Sequence, residues 1–299
     1  MAGFRALGVA AVLLTASLAG TSARQPLGAE ETRARLHAYL SVYEQELRTV
    51  VAEERMLQWP MREAGSTYLG ATGGTVRRDS SRVRILESDV AFVSLPGNAG
   101  WLGYRDVRRV GNKPVRRKGP SLEDLLKATS DDARERAMVL LLESARHNLG
   151  APRTINLPSL PLELLHQRNQ ARYVIETTSS DRVGDCQASR LDLAETARPT
   201  IIQRPEGGDM PTRVSAWVEP DSGRLCKAEV RLRDGRVGVP AFTAVVTVEF
   251  ERNANLGLTV PVRMQELFFI PQRSSGEGEA TYSNYRRFTT AGRLVPGRD

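Results

Sequence analysis

The sequence predicts an α+β protein: one large, curved antiparallel sheet with helices packed on its apolar concave face. Three observations lead there. From Arg172 to Thr289 the hydrophobic pattern has period two, in segments separated by short turns. Clear helical periodicity is confined to the part of the chain before that point. The stretch Ala241–Glu251, AFTAVVTVEFE, places Phe242, Ala244, Val246, Val248 and Phe250 on one face, with Thr243, Thr247, Glu249 and Glu251 opposite. A sheet with one apolar side must bury that side against something.

The chain opens with a segment that reads as an address. Met1–Arg5 carries one positive charge, Ala6–Ala19 is an uncharged, mostly apolar run, and Thr21-Ser22-Ala23 offers small residues for cleavage. This is the pattern of a secretory signal peptide, and the run of 14 residues falls short of the roughly 20 that span a bilayer. The expectation is a signal peptide over 1–23, a single α+β domain over 24–292 and a tail over 293–299. Cleavage near Ala23 would give a soluble protein that is periplasmic or secreted. The full chain has 299 residues, 40% of them hydrophobic, enough for one large domain with a substantial core.

The first helix is expected from Glu31 to about Glu54, where Leu36, Leu40, Tyr43, Leu47 and Val50 form one stripe. Gly65–Gly74 reads as a turn or insertion, without the Lys-Ser/Thr ending of a phosphate loop. Ser81–Leu95 holds strand material, and Tyr104–Val115 reads as a hairpin turning at Gly111-Asn112. Three helices follow. One starts at Ser121 and one runs from Asp131 to about Leu149, with Met138, Leu141, Leu142, Ala145 and Leu149 as its inner stripe. The third covers Ser159–His166 with Pro161 in its first turn. The expected strands are Arg172–Thr177, Gln187–Glu195, Thr200–Gln203, Thr212–Val218, Arg224–Arg233, Ala241–Glu251, Leu258–Phe269 and Glu279–Thr289. Turns are expected at Glu219–Gly223, Asn253–Asn255 and Ser274–Gly276.

Little in the sequence points to catalysis. There is no nucleophile elbow, zinc-protease motif, Cys-x-x-Cys or phosphate loop, and His37, His147 and His166 are dispersed. No catalytic residue, metal site or cofactor is expected. Glu143 and His147 stand four apart and read as a surface pair. The net charge of +7 is local: residues 105–118 hold seven basic side chains and one acid. Arg108, Arg109, Arg116 and Arg117 on that hairpin are candidates for an anionic envelope partner, set against the plainer reading of a charged edge that discourages aggregation. Nucleic acid does not fit the expected compartment. Cys186 and Cys226 are an even pair in an exported chain, which suggests a disulfide. Parity opposes it, since Cys226 shares a face with Ala228 and Val230 while Cys186 sides with Arg190 and Asp192. A bulge between Cys186 and Arg190 would reconcile them, and the sequence leaves the bridge open.

An N-terminal helix, early strands, a helical insert and a long meander together resemble the half-barrel of periplasmic lipoprotein carriers of the LolA/LolB type. Three short blocks are similar to pieces of uncharacterised exported bacterial proteins: ESARHN (Glu143–Asn148), RTIN (Arg153–Asn156) and ATYSNYRRF (Ala280–Phe288). The short blocks imply a family but no activity. The one-sided meander together with the expected export suggests an exported binding protein that holds a lipid or other hydrophobic ligand between sheet and helices, set against a completely filled core. The apolar face to examine is Phe242, Val246, Phe250, Val260 and Met264. The alternatives are an envelope interaction module using the basic hairpin 105–118 and an unrecognised hydrolase.

Overall fold

A computed structural model describes residues 28–64, 75–95, 100–116, 130–204, 207–233, 242–270, 274–289 and 293–295. The expected signal segment, the Gly65–Gly74 turn, the helix starting at Ser121, and Arg117 and Lys118 lie outside these residues.

The chain is α+β, with three described α-helices: α1 (Ala29–Leu47), α2 (Ser130–Ala145) and α3 (Leu160–Leu165). A 3₁₀ helix, Gln167–Arg172, follows α3. The strands are β1 (Val50–Ala64), β2 (Thr75–Arg78), β3 (Arg84–Leu95), β4 (Gly100–Val110), β5 (Lys113–Pro114), β6 (Tyr173–Val183), β7 (Cys186–Glu195), β8 (Thr212–Val218), β9 (Leu225–Arg233), β10 (Thr243–Asn253), β11 (Leu258–Ile270), β12 (Ser274–Thr289) and β13 (Arg293–Val295). Eleven of them form one row, β5-β4-β3-β1-β12-β11-β10-β9-β8-β7-β6, antiparallel throughout and not closed into a barrel. β2 pairs with β1, and β13, within the expected tail, pairs with β12. From β6 to β12 each strand neighbours the next, the meander that short turns produce. At β12 the row continues into β1, so the N-terminal strands extend the C-terminal sheet.

Several boundaries differ from expectation, each for a physical reason. The first helix stops at Leu47, and Val50–Glu54 opens β1. The β-branched pair Val50-Val51 favours extended backbone, and here both are buried. Thr200–Gln203 is not a strand. Its segment is held by side chains, with Asp209 accepting from the Thr200 amide at 2.7 Å and Glu195 from the Ile201 amide at 2.8 Å. Ser274–Gly276 is not a turn but the start of β12. The inner stripe of α2 is rotated from the expected one: Leu140 and Ala145 are buried, whereas Met138 and Leu142 are exposed. The buried line continues through Ser144 to Asn148, two polar residues that an apolar pattern passes over.

Residues from α1, α3 and most strands share a single core. Leu36, Leu40, Tyr43 and Leu47 of α1 join Leu191, Val214, Val230, Val246, Phe250 and Met264 in it. The β8–β9 turn butts against α1. Gly223 has φ +73, and a Cβ there would lie 2.3 Å from the Arg35 carbonyl oxygen. Arg35 in turn donates to the Pro220 carbonyl at 2.6 Å.

Cys186 and Cys226 are joined, their Cα atoms 6.4 Å apart. The reconciling bulge exists, but on β9 rather than β7. Trp217 faces Lys227 while Val218 faces Leu225, which leaves Cys226 as the extra residue. The bulge turns Cys226 away from the main core, into a small cluster with Cys186, Ala188 and Trp217.

Candidate functional site

The three short blocks singled out in the sequence meet in space. They converge on a buried polar network over β1, β4, β11 and β12, built from Glu54, Gln58, Arg105, Asn148, Arg153, Asn156, Glu266 and Tyr282. Glu54, Gln58, Arg105, Asn148, Asn156 and Glu266 are each at most 3% exposed.

Two arginine–carboxylate forks anchor it. Arg105 grips Glu54 through Nε and Nη2, the latter at 2.8 Å from Oε1. Arg153 grips Glu266 through Nη2 and Nε, the latter at 3.0 Å. The two forks are linked by amides. Arg105 donates to the Asn156 carbonyl at 2.7 Å, Asn156 Nδ2 to Asn148 Oδ1 at 2.9 Å, and Gln58 Nε2 to the same Asn148 oxygen at 2.8 Å. Gln58 also reaches Glu266 Oε1 at 3.3 Å and accepts from the Leu149 amide at 2.7 Å. Tyr282 donates to Glu54 Oε1 at 3.0 Å.

The strands make room for this by omitting side chains. In the cross-strand row Gln58–Gly278–Glu266, a Cβ on Gly278 would lie 2.6 Å from Glu266 Cγ. In the next row, a Cβ on Gly276 would lie 2.5 Å from the Phe268 ring. That ring instead crosses the strand, and the Arg153 guanidinium stacks 3.8 Å above it. On β4, a Cβ on Gly103 would lie 2.2 Å from Ser159 Oγ. The alternation Gly276-Glu277-Gly278-Glu279 thus reads as bare inward positions and charged outward ones.

Asn284 explains the third block. It has φ 50 and occupies the register shift where Val51 pairs with Arg286 but Glu53 with Ser283. Its amide donates to Glu53 Oε2 at 2.7 Å. This bulge lets both Tyr282 and Tyr285 turn inward, the latter donating to the Pro261 carbonyl.

Chemically, the network is closed. Its two cations and two anions balance, and each carboxylate is held by an arginine fork. Burial works against the Arg105 charge, but Glu54 outweighs it and holds the guanidinium above its ordinary pKa. Burial, then Glu54, pushes the Tyr282 hydroxyl well above 10, so it remains a donor. What the network does is fix the Asn148–Asn156 segment onto the sheet. The sequence reading puts Glu53 and Glu54 at the end of the first expected helix and gives Glu54 no role. On a strand the two point to opposite faces, and the missed signal was a charge at an inward parity position.

The other expected residues fall as follows. Val246, Phe250, Val260 and Met264 are at most 3% exposed and belong to the main core, and Phe242 packs partly buried against it. Arg105, counted with the basic hairpin, is inside the protein. Arg108 reaches Asp89 at 3.4 Å and Glu53 at 3.7 Å, and Arg109 reaches Glu87 at 3.4 Å. Acids on β1 and β3 therefore offset part of the hairpin's charge, while Arg116 is exposed. Glu143 pairs with Arg146 rather than with His147. His166 bonds Glu44 at 2.8 Å through Nε2 and accepts the Arg168 amide at Nδ1. Both of its ring nitrogens are engaged, and neither contacts a serine. Among the described residues no group of three or more His, Cys, Asp or Glu could hold a metal ion. Compared with protein-family models, curated proteins and solved structures, the chain matches none.

Proposed function

We propose that this chain is an exported binding protein: a half-barrel that holds a lipid or other hydrophobic ligand between its sheet and helices α1 and α3. The observation that carries this reading is the reach of α1. It touches β3, β11, β7 and β6, and β3 and β6 stand eight places apart in the strand order. In a flat sheet that separation is about 38 Å, whereas a helix of 19 residues is about 28 Å long. A sheet curled around the helix accommodates both, with the apolar face inside. The ligand face is Phe242, Val246, Phe250, Val260 and Met264. Those side chains share one core with Leu36, Leu40, Tyr43 and Leu47 of α1, so a ligand that enters there replaces part of that packing. The polar network keeps the Asn148–Asn156 segment fixed on the sheet while this happens.

Native mass spectrometry of the protein purified from the compartment it is exported to tests the reading. A co-purifying apolar ligand, or saturable uptake of an apolar fluorophore by the stripped protein, is expected. Absence of both would sink the proposal.

A further inference from the structure

We infer that Tyr43 is the polar anchor of the ligand site: its hydroxyl donates a hydrogen bond to a carboxyl or carbonyl oxygen carried by an acyl chain. This inference rests on the binding reading above. Tyr43 is 3% exposed and lies within the main core beside Leu36, Leu40 and Leu47, in one cluster with Phe250 and Val260. Among the described residues its hydroxyl has no hydrogen-bond partner. The other tyrosines near that core are satisfied. Tyr173 bonds Thr212 at 2.6 Å, Tyr282 bonds Glu54, Tyr285 bonds the Pro261 carbonyl, and Tyr39 bonds Thr259. Ser88 and Tyr104 also carry unpartnered oxygens, but neither belongs to the main apolar core.

A buried donor left unmade is destabilising, and a phenylalanine would fill the same space without it. The hydroxyl is thus an odd group to keep in an apolar core unless a bound molecule supplies the acceptor. Its surroundings suit an acyl chain. Tyr39 stacks on its ring at 5.4 Å, and the apolar cluster it belongs to includes Leu36, Leu40, Phe250 and Val260. Burial raises the Tyr43 pKa well above 10, so the group is a donor at any ordinary pH. It therefore suits an oxygen acceptor and offers nothing specific to a bare hydrocarbon.

Displacement of an apolar fluorophore by methyl laurate, lauric acid and tridecane, on the wild type and on Tyr43→Phe, tests this. Wild type is expected to bind ester and acid more tightly than the hydrocarbon. Tyr43→Phe should bind the ester about three- to tenfold more weakly, with tridecane unchanged and the melting temperature equal or higher. If acid alone outbinds the hydrocarbon, a charged headgroup contact replaces the anchor and overturns it. Equal ester affinity in wild type and variant overturns it, as does a lower melting temperature in Tyr43→Phe, which would reveal an internal partner. Failure of the wild type to bind any of the three compounds overturns the binding reading itself.

Discussion

The two wings of the sheet solve the same problem by different means. In the wing from β7 to β10 the inward rows are almost wholly aliphatic: Leu191, Val214, Val230, Val246 and Val248 are each at most 1% exposed. In the wing made by β1, β3, β4, β11 and β12, the inward positions include Glu54, Gln58, Ser88, Arg105 and Glu266, with glycines between them. An aliphatic face can be covered by any apolar surface, in several registers. A buried charge accepts one partner in one geometry. The first wing is therefore suited to contacts that change, and the second to fixing the Asn148–Asn156 segment in one place.

Breaking one fork gives the sharpest test of that contrast. Arg105→Met leaves Glu54 buried with Tyr282 as its one remaining donor among the described residues, at an expected cost of about 3–5 kcal/mol. Val246→Ala, a cavity in the aliphatic wing, should cost about 2 kcal/mol. The double variant Glu54→Leu with Arg105→Met should recover much of the first loss, because neither charge is then left alone. Urea unfolding of the four proteins measures all three quantities. If Arg105→Met costs no more than Val246→Ala, the wings are held in the same way and the contrast fails.

Gly278→Ala probes the room the polar wing needs. Its Cβ would meet Glu266 Cγ at 2.6 Å and Met56 Cε at 2.9 Å, so Glu266 or Gln58 must shift and the amide links lengthen. An overpacking cost of about 1–3 kcal/mol is expected, together with faster hydrogen exchange at the Leu149 amide, which bonds Gln58. Loss of stability without that local exchange would place the strain elsewhere.

The same contrast decides what could be read from the sequence. The aliphatic wing announces itself, because alternation over Thr243–Asn253 and Leu225–Arg233 follows directly from a two-sided strand. The polar wing breaks that code. Val50–Glu54 continued a helical stripe, Arg105 looked like one more surface cation, and Gly276 looked like a turn. Each was read by residue type, whereas its place depends on a partner about fifty residues or more away. The Cys186–Cys226 bridge was open for a related reason: one extra residue on β9 reverses parity, and no composition signal marks which strand bulges. The three short blocks were visible as strings, but only pairing β1 with β12 brings them together.

Acid should act on both wings, more strongly on α1. His37 is held below its ordinary pKa of 6.5, mainly by burial, then by Arg33 and His166, against Gln170 and Glu30. His147 is likewise lowered, by burial and then Arg146, with Glu143 opposing and Arg84 adding to the effect. For each, the unfolded chain takes up its proton first as pH falls. Their stability contribution is complete above about pH 6.5 and is lost as pH falls from there through the folded pKa. Between pH 7 and pH 5, His37→Gln should flatten the decline in stability more than His147→Gln, since His37 is the more deeply buried. A larger flattening from His147→Gln would reverse the assignment.

The smallest effect is expected on the outer side of the polar wing, where the same residue types sit in water. Arg109 is about half exposed and 3.4 Å from Glu87, an arginine–glutamate pair like Arg105 and Glu54 but solvated. Water has already screened both charges, and holding two long side chains together costs entropy, so Arg109→Ala should change stability by less than about 0.5 kcal/mol. The difference should shrink further in high salt, whereas the Arg105→Met loss should barely respond. If Arg109→Ala costs as much as Arg105→Met, burial is not what distinguishes the two pairs. If it is silent, identical chemistry on opposite faces of one strand differs in consequence only because one face is dry.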